Sequence, residues 1–535
     1  MSEQQRIILA LALSFGILFA WQTFFAPPVP VQDQVAAIAD VKPADALNPV
    51  DPIPADPTPS VQQVLSREMK RIPLENGVMR TEIADGFPSL RMVELRDFSE
   101  ETGKDPVQRS PVSLVSQGKN GPEQAVVHVS INGTEQAYVA ETRPLGDHQI
   151  VLRAASGDGV WSSDIRVGLR GNDYAVTYDV VTTNRGAVPL ALRVDVDLAL
   201  GLSQKKRSFF APPVDASAAL CRMGDEFVRE DAEGLEEVIE KSGSKGWAGI
   251  DRQYFVIAAI GAKEGQKSCT VKREGPIVAV RYGVASGTIA PGESSSEHFV
   301  VYLGPKRSGD LERVDSSLVE AIDYTIMGLP LAFLAKPMLW ALSLFHAWTG
   351  SWGLAIVLLT FAVKALLFPI TYKSVVSMRR MQLLKPKIEA LRERFKDDRM
   401  KQQEEQMKLF RETGVDPLGG CLPMLLQMPV WFALYRTLWS AVDLYQQPFL
   451  WLKDLTAAEP FPIMALLLGI VTFVQQKMTP TGVDSQQAKI MLYVMPIMLT
   501  FFMIYLPSGL VLYILANSIL TIIQQLVINR REVRI

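Results

Sequence analysis

A single charged side chain lies well inside the long apolar segments of this 535-residue chain. Lys364 follows Thr360 by four residues, so the two side chains share one face of a helix. A hydroxyl next to an amine can form a nucleophilic pair, but no other catalytic group accompanies them, and we expect no enzymatic activity. Two interpretations stay open: the Lys364 stem carries its ammonium towards the lipid headgroups, or the ammonium faces a water-filled groove.

Polar side chains at helical spacing in two further apolar segments favour the groove. They are Gln427, Trp431 and Tyr435 in one segment, and Tyr513, Asn517, Thr521 and Gln524 in the other. Such stripes also hold helices together, so they do not by themselves define a cavity. No Asp or Glu lies at a similar depth to neutralise Lys364. A hydrated, positively charged groove would account for all of these features at once.

The composition argues against several classes of protein. A net charge of -3 does not suit a protein that coats nucleic acid through general basicity. Three cysteines and four histidines are too few for a disulfide scaffold or a four-cysteine metal cluster. No nucleotide-binding motif is present, and we expect neither a cofactor nor a metal. Cys221 and Cys269 either pair or remain two separate buried thiols.

Long uncharged windows predict a multi-span α-helical membrane protein. A bilayer core requires about 20 apolar residues in a helix. Six segments meet this requirement, at about 6–26, 351–372, 416–440, 461–478, 490–506 and 508–529. The last two belong to one uncharged window, which Leu506-Pro507-Ser508-Gly509 divides as a turn.

Lysine and arginine are concentrated between the second and third predicted spans. Residues 373–413 contain twelve of them, and the positive-inside rule therefore places this segment in the cytoplasm. Both termini then lie in the cytoplasm, and residues 27–350 lie outside it.

The same cytoplasmic segment, 373–415, is predicted to form a helical hairpin. Its apolar residues follow the spacing of a two-helix seam: Met381, Leu384, Ile388, Leu391 and Phe395. We expect a turn at 396–398. Pro386 either starts the first arm or kinks it.

The part of the chain before the second span divides into four predicted segments. Residues 1–26 form a retained transmembrane anchor or, alternatively, a cleaved signal, and the proline-rich residues 27–60 form an extended linker. Residues 61–322 alternate with a period of two, which predicts a large extracytoplasmic antiparallel β-sandwich. Residues 323–350 predict an amphipathic helix in the outer interface of the membrane.

Several motifs resemble those of the YidC/Oxa-type membrane protein insertases, in their Gram-negative YidC form. The segment from Pro417 to Pro429 is similar to the family's third-span signature, and Leu506 to Tyr513 is similar to its final-span signature. Shorter matches are Lys385-Pro386-Lys387-Ile388, Gln476-Lys477-Met478 and Ile522-Ile523-Gln524-Gln525. The order of anchor, outer β domain, five-span core (351–529) and short tail (530–535) also resembles this form.

The resemblance implies a membrane protein insertase and folding chaperone of the inner membrane. By this resemblance, the residues that line the family's groove correspond to Thr360, Trp431, Phe502 and Tyr513. We add Gln427, which shares a helix face with Trp431. Lys364 stands where the best-known members have arginine. The implied partners are nascent membrane proteins, the Sec translocon, the ribosome, the signal-recognition receptor and membrane lipids, without direct contact to nucleic acid. The main alternative is an ion-coupled transporter, which should show an internal repeat and a second intramembrane charge.

Overall fold

The computed structural model describes residues 70–530, with gaps at 101–109, 116, 119–120, 123, 137–140, 147, 157, 202–216, 233, 262–264, 327–328, 397, 414–421 and 479–484. The predicted anchor 1–26, the linker 27–60 and the last residues of the tail, 531–535, lie outside the described residues, as does the motif segment 417–421. The chain separates into two compact units, Met1–Thr58 and Pro59–Ile535. The elements below belong to the second unit.

The β domain consists of strands in which buried and exposed residues alternate, as the period-two pattern predicts. In chain order the described strands are β1 (Arg71–Glu75), β2 (Met79–Ala84), β3 (Ser89–Ser99), β4 (Pro111–Val115), β5 (Gln117–Gly118), β6 (Gly121–Pro122), β7 (Gln124–Ile131), β8 (Thr134–Glu135), β9 (Glu141–Pro144), β10 (Gln149–Ala155), β11 (Trp161–Leu169), β12 (Ala175–Asn184), β13 (Leu190–Gly201), β14 (Ala218–Met223), β15 (Glu226–Asp231), β16 (Ile239–Gly243), β17 (Gly246–Asp251), β18 (Phe255–Gly261), β19 (Lys267–Glu274), β20 (Ile277–Ile289), β21 (Ser294–Pro305), β22 (Thr325–Ile326) and β23 (Leu329–Pro330).

Two large antiparallel sheets pack against each other. One has the order β1-β2-β3-β7-β13-β20-β19-β16, with β4 beside β3 and β8 beside β7; the other has the order β15-β14-β17-β18-β21-β12-β11-β10-β9. Their inner faces share one core, to which Val194 and Tyr282 contribute from the first sheet and Tyr178 and Trp247 from the second. This agrees with the predicted antiparallel β domain.

A disulfide crosses between the two sheets. It joins Cys221 of β14 to Cys269 of β19, whose Cα atoms lie 6.1 Å apart. Both residues are buried in the shared core. Of the two alternatives that the sequence left open, the structure shows the paired one, in which the covalent bond ties the sheets together through their interior.

The rest of the described chain is largely helical. The helices are α1 (Ser308–Val314), α2 (Ala332–Thr349), α3 (Trp352–Arg394), α4 (Arg399–Thr413), α5 (Leu422–Ser440), α6 (Ile463–Met478), α7 (Ser485–Met503) and α8 (Ser508–Arg530), with short 3₁₀ turns at Ser316–Ala321 and Val442–Leu444. Among the described residues, two stretches are long and apolar enough to cross a membrane, Trp352–Ser377 and Ser508–Ile528; Ile463–Met478 and Leu492–Met503 are apolar but shorter.

The second predicted span and the first arm of the predicted hairpin are one continuous helix. α3 runs from Trp352 to Arg394, with Pro386 inside it, so Pro386 does not start a separate arm. Proline removes one backbone hydrogen bond from a helix. Leu384 and Ile388, on either side of it, pack with Phe410 of α4 in a small core. We attribute the continuity of the helix at this point to that packing.

The turn between the last two helices falls where the sequence predicts it. α7 ends at Met503 and α8 begins at Ser508. The Ser508 backbone N–H donates to the carbonyl oxygen of Ala457 at 2.8 Å, and its hydroxyl donates to that of Asp454 at 2.8 Å. These bonds fix the start of α8 against the loop that precedes α6, and they set the position of the polar residues that follow on α8.

Candidate functional site

Lys364 lies roughly three turns into α3, on the side of that helix that meets α8. The helix begins at Trp352 because Gly350 adopts a left-handed conformation, with φ 66°, that ends α2 and redirects the chain. Lys364 Nζ donates a hydrogen bond of 2.8 Å to Thr521 Oγ1 of α8. The lysine side chain is half-buried. Its ammonium is thus held between two helices.

Thr521 is well prepared to accept this bond. Its hydroxyl donates its own hydrogen to the carbonyl oxygen of Asn517 at 2.7 Å, which leaves the oxygen lone pairs for the ammonium. About one turn further along, Gln524 Nε2 donates to Thr371 Oγ1 at 2.7 Å. Two side-chain hydrogen bonds therefore join α3 and α8, from positions about one turn apart on α8 and two turns apart on α3, and one of them carries a positive charge.

Tyr513 of the same polar stripe connects α8 to a third helix. Gln427 Nε2 of α5 donates to the Tyr513 hydroxyl oxygen at 2.7 Å, and Tyr513 is only 1 % exposed. Three helices, α3, α5 and α8, therefore contribute hydrogen-bonded polar side chains to the interior of the bundle. In hydrocarbon, such groups are stable only when they find partners of this kind.

The three remaining predicted groove residues occupy different environments. Thr360 is fully buried, and its hydroxyl donates to the carbonyl oxygen of Ile356 at 2.7 Å. Trp431 of α5 has a buried indole N–H that finds no acceptor among the described residues. Phe502 of α7 is partly exposed, next to the ring of Phe501. Thr360 and Lys364 each bond elsewhere, which does not fit a nucleophilic pair.

The charge of the Lys364 site is not neutralised by its hydrogen-bond partner, the Thr521 hydroxyl. Within the described part of the chain, the ammonium donates to a neutral hydroxyl and forms no ion pair with a carboxylate. A half-buried charge without a counter-charge is costly. The arrangement therefore favours the approach of a group that carries negative charge, since Coulomb attraction is strong where water is scarce.

A second polar contact, which the sequence did not predict, joins the loop after α5 to the β domain. The Tyr445 hydroxyl donates to the carbonyl oxygen of Ser99 at 2.9 Å, and Gln446 Nε2 donates to the same oxygen at 2.5 Å. The Tyr445 ring lies 5.1 Å from that of Tyr254 and 6.1 Å from that of Phe255. The adjacent Gln446 has a positive φ of 56°. The local sequence around Tyr445 gives no signal for this contact, because its partners on the β domain are far away in the chain.

A chain of charged side chains, of which Lys306 and Asp251 are buried, also links the β domain to the end of α5. Lys306 Nζ lies 2.9 Å from Asp251 Oδ1, and Asp251 also pairs with Arg229. Asp323 pairs with Arg436 near the end of α5. Arg229 Nε lies 3.7 Å from Asp323 Oδ2, so Arg229 lies between the two carboxylates. Burial lowers the pKa of the Lys306 ammonium, which Asp251 opposes. Burial by itself would raise the pKa of Asp323, but Arg436 and the hydrogen bonds from Thr325 outweigh it, and the pKa of this carboxyl is lowered.

Among the described residues, no group of three or more His, Cys, Asp or Glu side chains is arranged to hold a metal ion. His128 lies close to two carboxylates. Its Nδ1 lies 2.5 Å from Glu135 and its Nε2 lies 3.4 Å from Asp197. Asp197 is in turn bound by Arg281 through two hydrogen bonds of 2.6 Å. The guanidinium satisfies Asp197, so this cluster is a set of side-chain contacts on the first sheet that includes the Arg281–Asp197 ion pair.

Two family profiles match the chain. The profile of the YidC periplasmic domain matches residues 71–341, and that of the 60Kd inner membrane protein matches residues 344–534. Their boundary falls inside the last turns of α2, just before the helix that carries Lys364. The β domain and the helical core therefore correspond to two separately described families that occur in one chain.

Similar proteins align with nearly the full length of the chain. A membrane protein insertase YidC from Anaeromyxobacter dehalogenans (strain 2CP-C) is 36 % identical over 547 aligned residues, covering 99 % of this chain and 98 % of that protein. A membrane protein insertase YidC from Geotalea daltonii is 32 % identical, covering 98 % of this chain and 99 % of that protein. A crystal structure described as an active YidC insertase with its first transmembrane domain resolved is 20 % identical, with a TM-score of 0.37, and covers 87 % of this chain and 94 % of that one. Because the two relatives align over nearly their full length at more than 30 % identity, the chain belongs to the YidC family of membrane protein insertases.

Proposed function

We propose that this inner-membrane insertase moves nascent transmembrane segments into the bilayer through a hydrated, positively charged groove between α3, α5 and α8. The observation that carries the proposal is the half-buried Lys364 ammonium, which donates to the neutral Thr521 hydroxyl and lacks a carboxylate partner among the described residues. The Trp431 N–H on α5, which has no acceptor among the same residues, adds an unsatisfied donor. Both donors suit a guest that brings polar acceptors or negative charge.

The physical task of the groove is to lower a desolvation barrier. Each unsatisfied polar group that enters hydrocarbon costs several kcal/mol, so a substrate's polar flank crosses more readily past hydrogen-bonding side chains. Transfer of the apolar segment into lipid supplies the driving force. α7 offers a surface for that segment, because Ile497, Phe501 and Phe502 are all exposed. Twelve of the nineteen methionines lie between Met378 and Met503, and Met498 is exposed; flexible thioether side chains suit varied apolar partners.

The topology that we propose follows the distribution of positive charge. Six spans cross the inner membrane of a Gram-negative bacterium: an anchor at 1–26 and five within 351–529. The hairpin 373–415, the N-terminus and the tail 530–535 lie in the cytoplasm, and the β domain 61–322 lies in the periplasm after the linker 27–60. Residues 323–350, which include α2, lie along the outer interface, where exposed Trp340 and Trp348 would meet the headgroups.

The partners of this function are proteins and lipids. Nascent membrane proteins are the substrates, and the chain acts alone or with the Sec translocon. The ribosome and the signal-recognition receptor deliver the substrates, with the cytoplasmic hairpin as a docking arm. Its outer surface is rich in exposed charge, which suits such contacts. No direct contact with nucleic acid, no cofactor and no covalent chemistry are required.

Reconstitution of the full-length protein tests this function. Proteoliposomes that contain it, and matched empty liposomes, would receive a single-span substrate during its synthesis, and protease protection would measure insertion. We expect protected substrate only with the protein present, and a reduced yield with Lys364→Ala. Equal protection in both vesicle types would contradict the proposal. Flux of small solutes or ions in the absence of substrate insertion would favour the transporter instead.

A further inference from the structure

The loop between α5 and α6 carries an exposed apolar tip on a rigid base. Phe449 and Leu452 exchange two backbone hydrogen bonds, of 3.0 and 2.9 Å, that close a tight turn around Leu450 and Trp451. Leu452 is buried in the helical core, and Phe449 packs against it. A Cβ on Gly353 would lie only 2.1 Å from the Phe449 ring, so this ring sits directly on the start of α3. The base is therefore fixed.

The tip itself exposes apolar side chains in a strained conformation. Leu450 is 74 % exposed and Trp451 is 46 % exposed. Leu450 has a φ of 54°, a left-handed conformation that is unfavourable for a residue with a branched side chain. Strain of this kind persists where the surrounding structure enforces it, and it marks functional sites. Here it points an apolar side chain away from the protein.

The tip lies beside the start of α6, and the surface of that helix indicates what contacts the tip. Trp451 Nε1 donates to Glu459 Oε1 at 2.5 Å, and the other carboxylate oxygen of Glu459 accepts from the backbone N–H of Met464 in the first turn of α6. α6 then presents an exposed apolar stripe at helical spacing, with Ile463, Leu466, Leu467, Ile470 and Val474. In an inner-membrane protein this stripe faces lipid, and the tip is continuous with its first turn.

The chemistry of the neighbouring residues fits the boundary between acyl chains and headgroups. Phe461, just before α6, is 75 % exposed, and Lys453 next to the tip is exposed too. Tryptophan with a bonded indole N–H and lysine with a free stem are the residues that anchor proteins at this depth. A partner protein would need a matching apolar surface, whereas lipid is already present beside α6.

We propose that the Leu450–Trp451 tip inserts into the outer leaflet and anchors the α5–α6 loop to the membrane surface. The ligand is the acyl chain and glycerol region of a phospholipid. α3, α6 and α8 begin at the same end of the bundle. The anchor would hold this end at a fixed depth in the membrane. This inference rests on the membrane topology proposed above and is independent of the Lys364 mechanism.

Depth-dependent quenching tests the proposal on the full chain. With Cys421→Ser as background and the Cys221–Cys269 disulfide retained, an environment-sensitive NBD fluorophore is placed at Leu450→Cys. Val188→Cys, an apolar position of the β domain that is 68 % exposed, is the matched control. Vesicles of phosphatidylcholine and phosphatidylglycerol carry a nitroxide at a shallow or a deep acyl position. We expect at least about twofold quenching at position 450, stronger with the shallow nitroxide, and none at 188.

Three results would overturn the proposal. One is an absence of lipid quenching at position 450 together with full access to aqueous iodide. The second is protection from iodide without lipid quenching, which would show that protein covers the tip. The third is equal quenching at 450 and 188. Trp451→Cys carries the same label as a second report, and it keeps the test valid if labelling at 450 distorts the turn.

Discussion

The Lys364 ammonium and the Thr521 hydroxyl lie 2.8 Å apart and join α3 to α8. Both helices begin at the same end of the bundle, because a Cβ on Gly509 of α8 would lie 3.4 Å from Ile356 Cδ1 of α3. Lys364 and Thr521 are about equally far from those starts, so the bond directs the ammonium sideways to a neighbouring helix. A lysine that reached for the headgroups would extend along α3 instead. This geometry supports the groove that we propose rather than snorkelling.

Removal of the Thr521 hydroxyl should weaken the site without removing its charge. Thr521→Val keeps the shape of the side chain but leaves the ammonium without its acceptor, a loss of about 0.5–1.5 kcal/mol for one hydrogen bond. We expect insertion of an acidic-flanked substrate to fall by about two- to tenfold. Thr521→Ser, which keeps the hydroxyl, should insert normally. If valine and serine behave alike, Thr521 does not position Lys364.

The proposed orientation can be tested with single cysteines in intact cells. In a Cys421→Ser background, Met400→Cys lies on α4 and Val188→Cys lies on the β domain, and both native side chains are highly exposed. A thiol reagent that cannot cross the inner membrane should label position 188 once it has passed the outer membrane, and it should spare position 400. After membrane disruption both should react. Labelling of 400 but not 188 in intact cells would reverse the topology.

Deletion of most of the β domain should leave insertion working but lower the stability of the protein. The variant lacks residues 61–300 and keeps the first span and residues 323–350. The groove residues all lie on α3, α5, α7 and α8, so the site persists. Val442 and Tyr445 lose the core against which they pack, which should lower the melting temperature. Complete loss of insertion in a variant that still accumulates in the membrane would show that the domain is more than a scaffold.

The buried charge chain should be far more sensitive to substitution than the surface ion pairs. Asp251→Asn leaves Lys306 buried without its counter-ion, and breaking such a pair costs about 3–5 kcal/mol. The control Asp164→Asn disrupts a pair with Arg153 that is largely solvated, where about 0–1 kcal/mol is at stake. Denaturation of the two purified variants in detergent compares these losses. Equal stabilities would show that the Lys306–Asp251 pair contributes no more than a surface contact.

Acid should release the contact between Asp323 and Arg436. The pKa of Asp323 in the folded protein is lowered, so its contribution to stability is present above the unfolded pKa and is lost as the pH falls through the folded pKa. We expect part of the acid-induced loss of stability to disappear in Asp323→Asn, which should be less stable than the wild type at neutral pH. Parallel stability curves for the two proteins from neutral pH to pH 2 would contradict this assignment.

Local sequence patterns predicted individual strands and helices better than they predicted which of these elements pack or pair with each other. The period-two alternation over 61–322 predicted antiparallel strands, and β13 and β20 are two such strands, which pair with each other. That β12 pairs with β21, with Asp179 opposite His298, depends on contacts between distant segments that no local periodicity encodes. The helical stripes likewise identified Thr521 and Gln427 as polar positions. Only the packing of three helices shows that the first accepts from Lys364 and the second donates to Tyr513.

The most direct test of the account compares paired substrates that differ only in the charge of their flank. Lys364→Arg should insert both, because the charge is kept. Lys364→Ala should impair the acidic-flanked substrate most, and Lys364→Glu should impair it more than Ala does, since attraction becomes repulsion in a poorly screened site. A neutral-flanked substrate should change little in any variant. Equal defects for acidic and neutral flanks across the Lys364 variants would contradict the electrostatic mechanism.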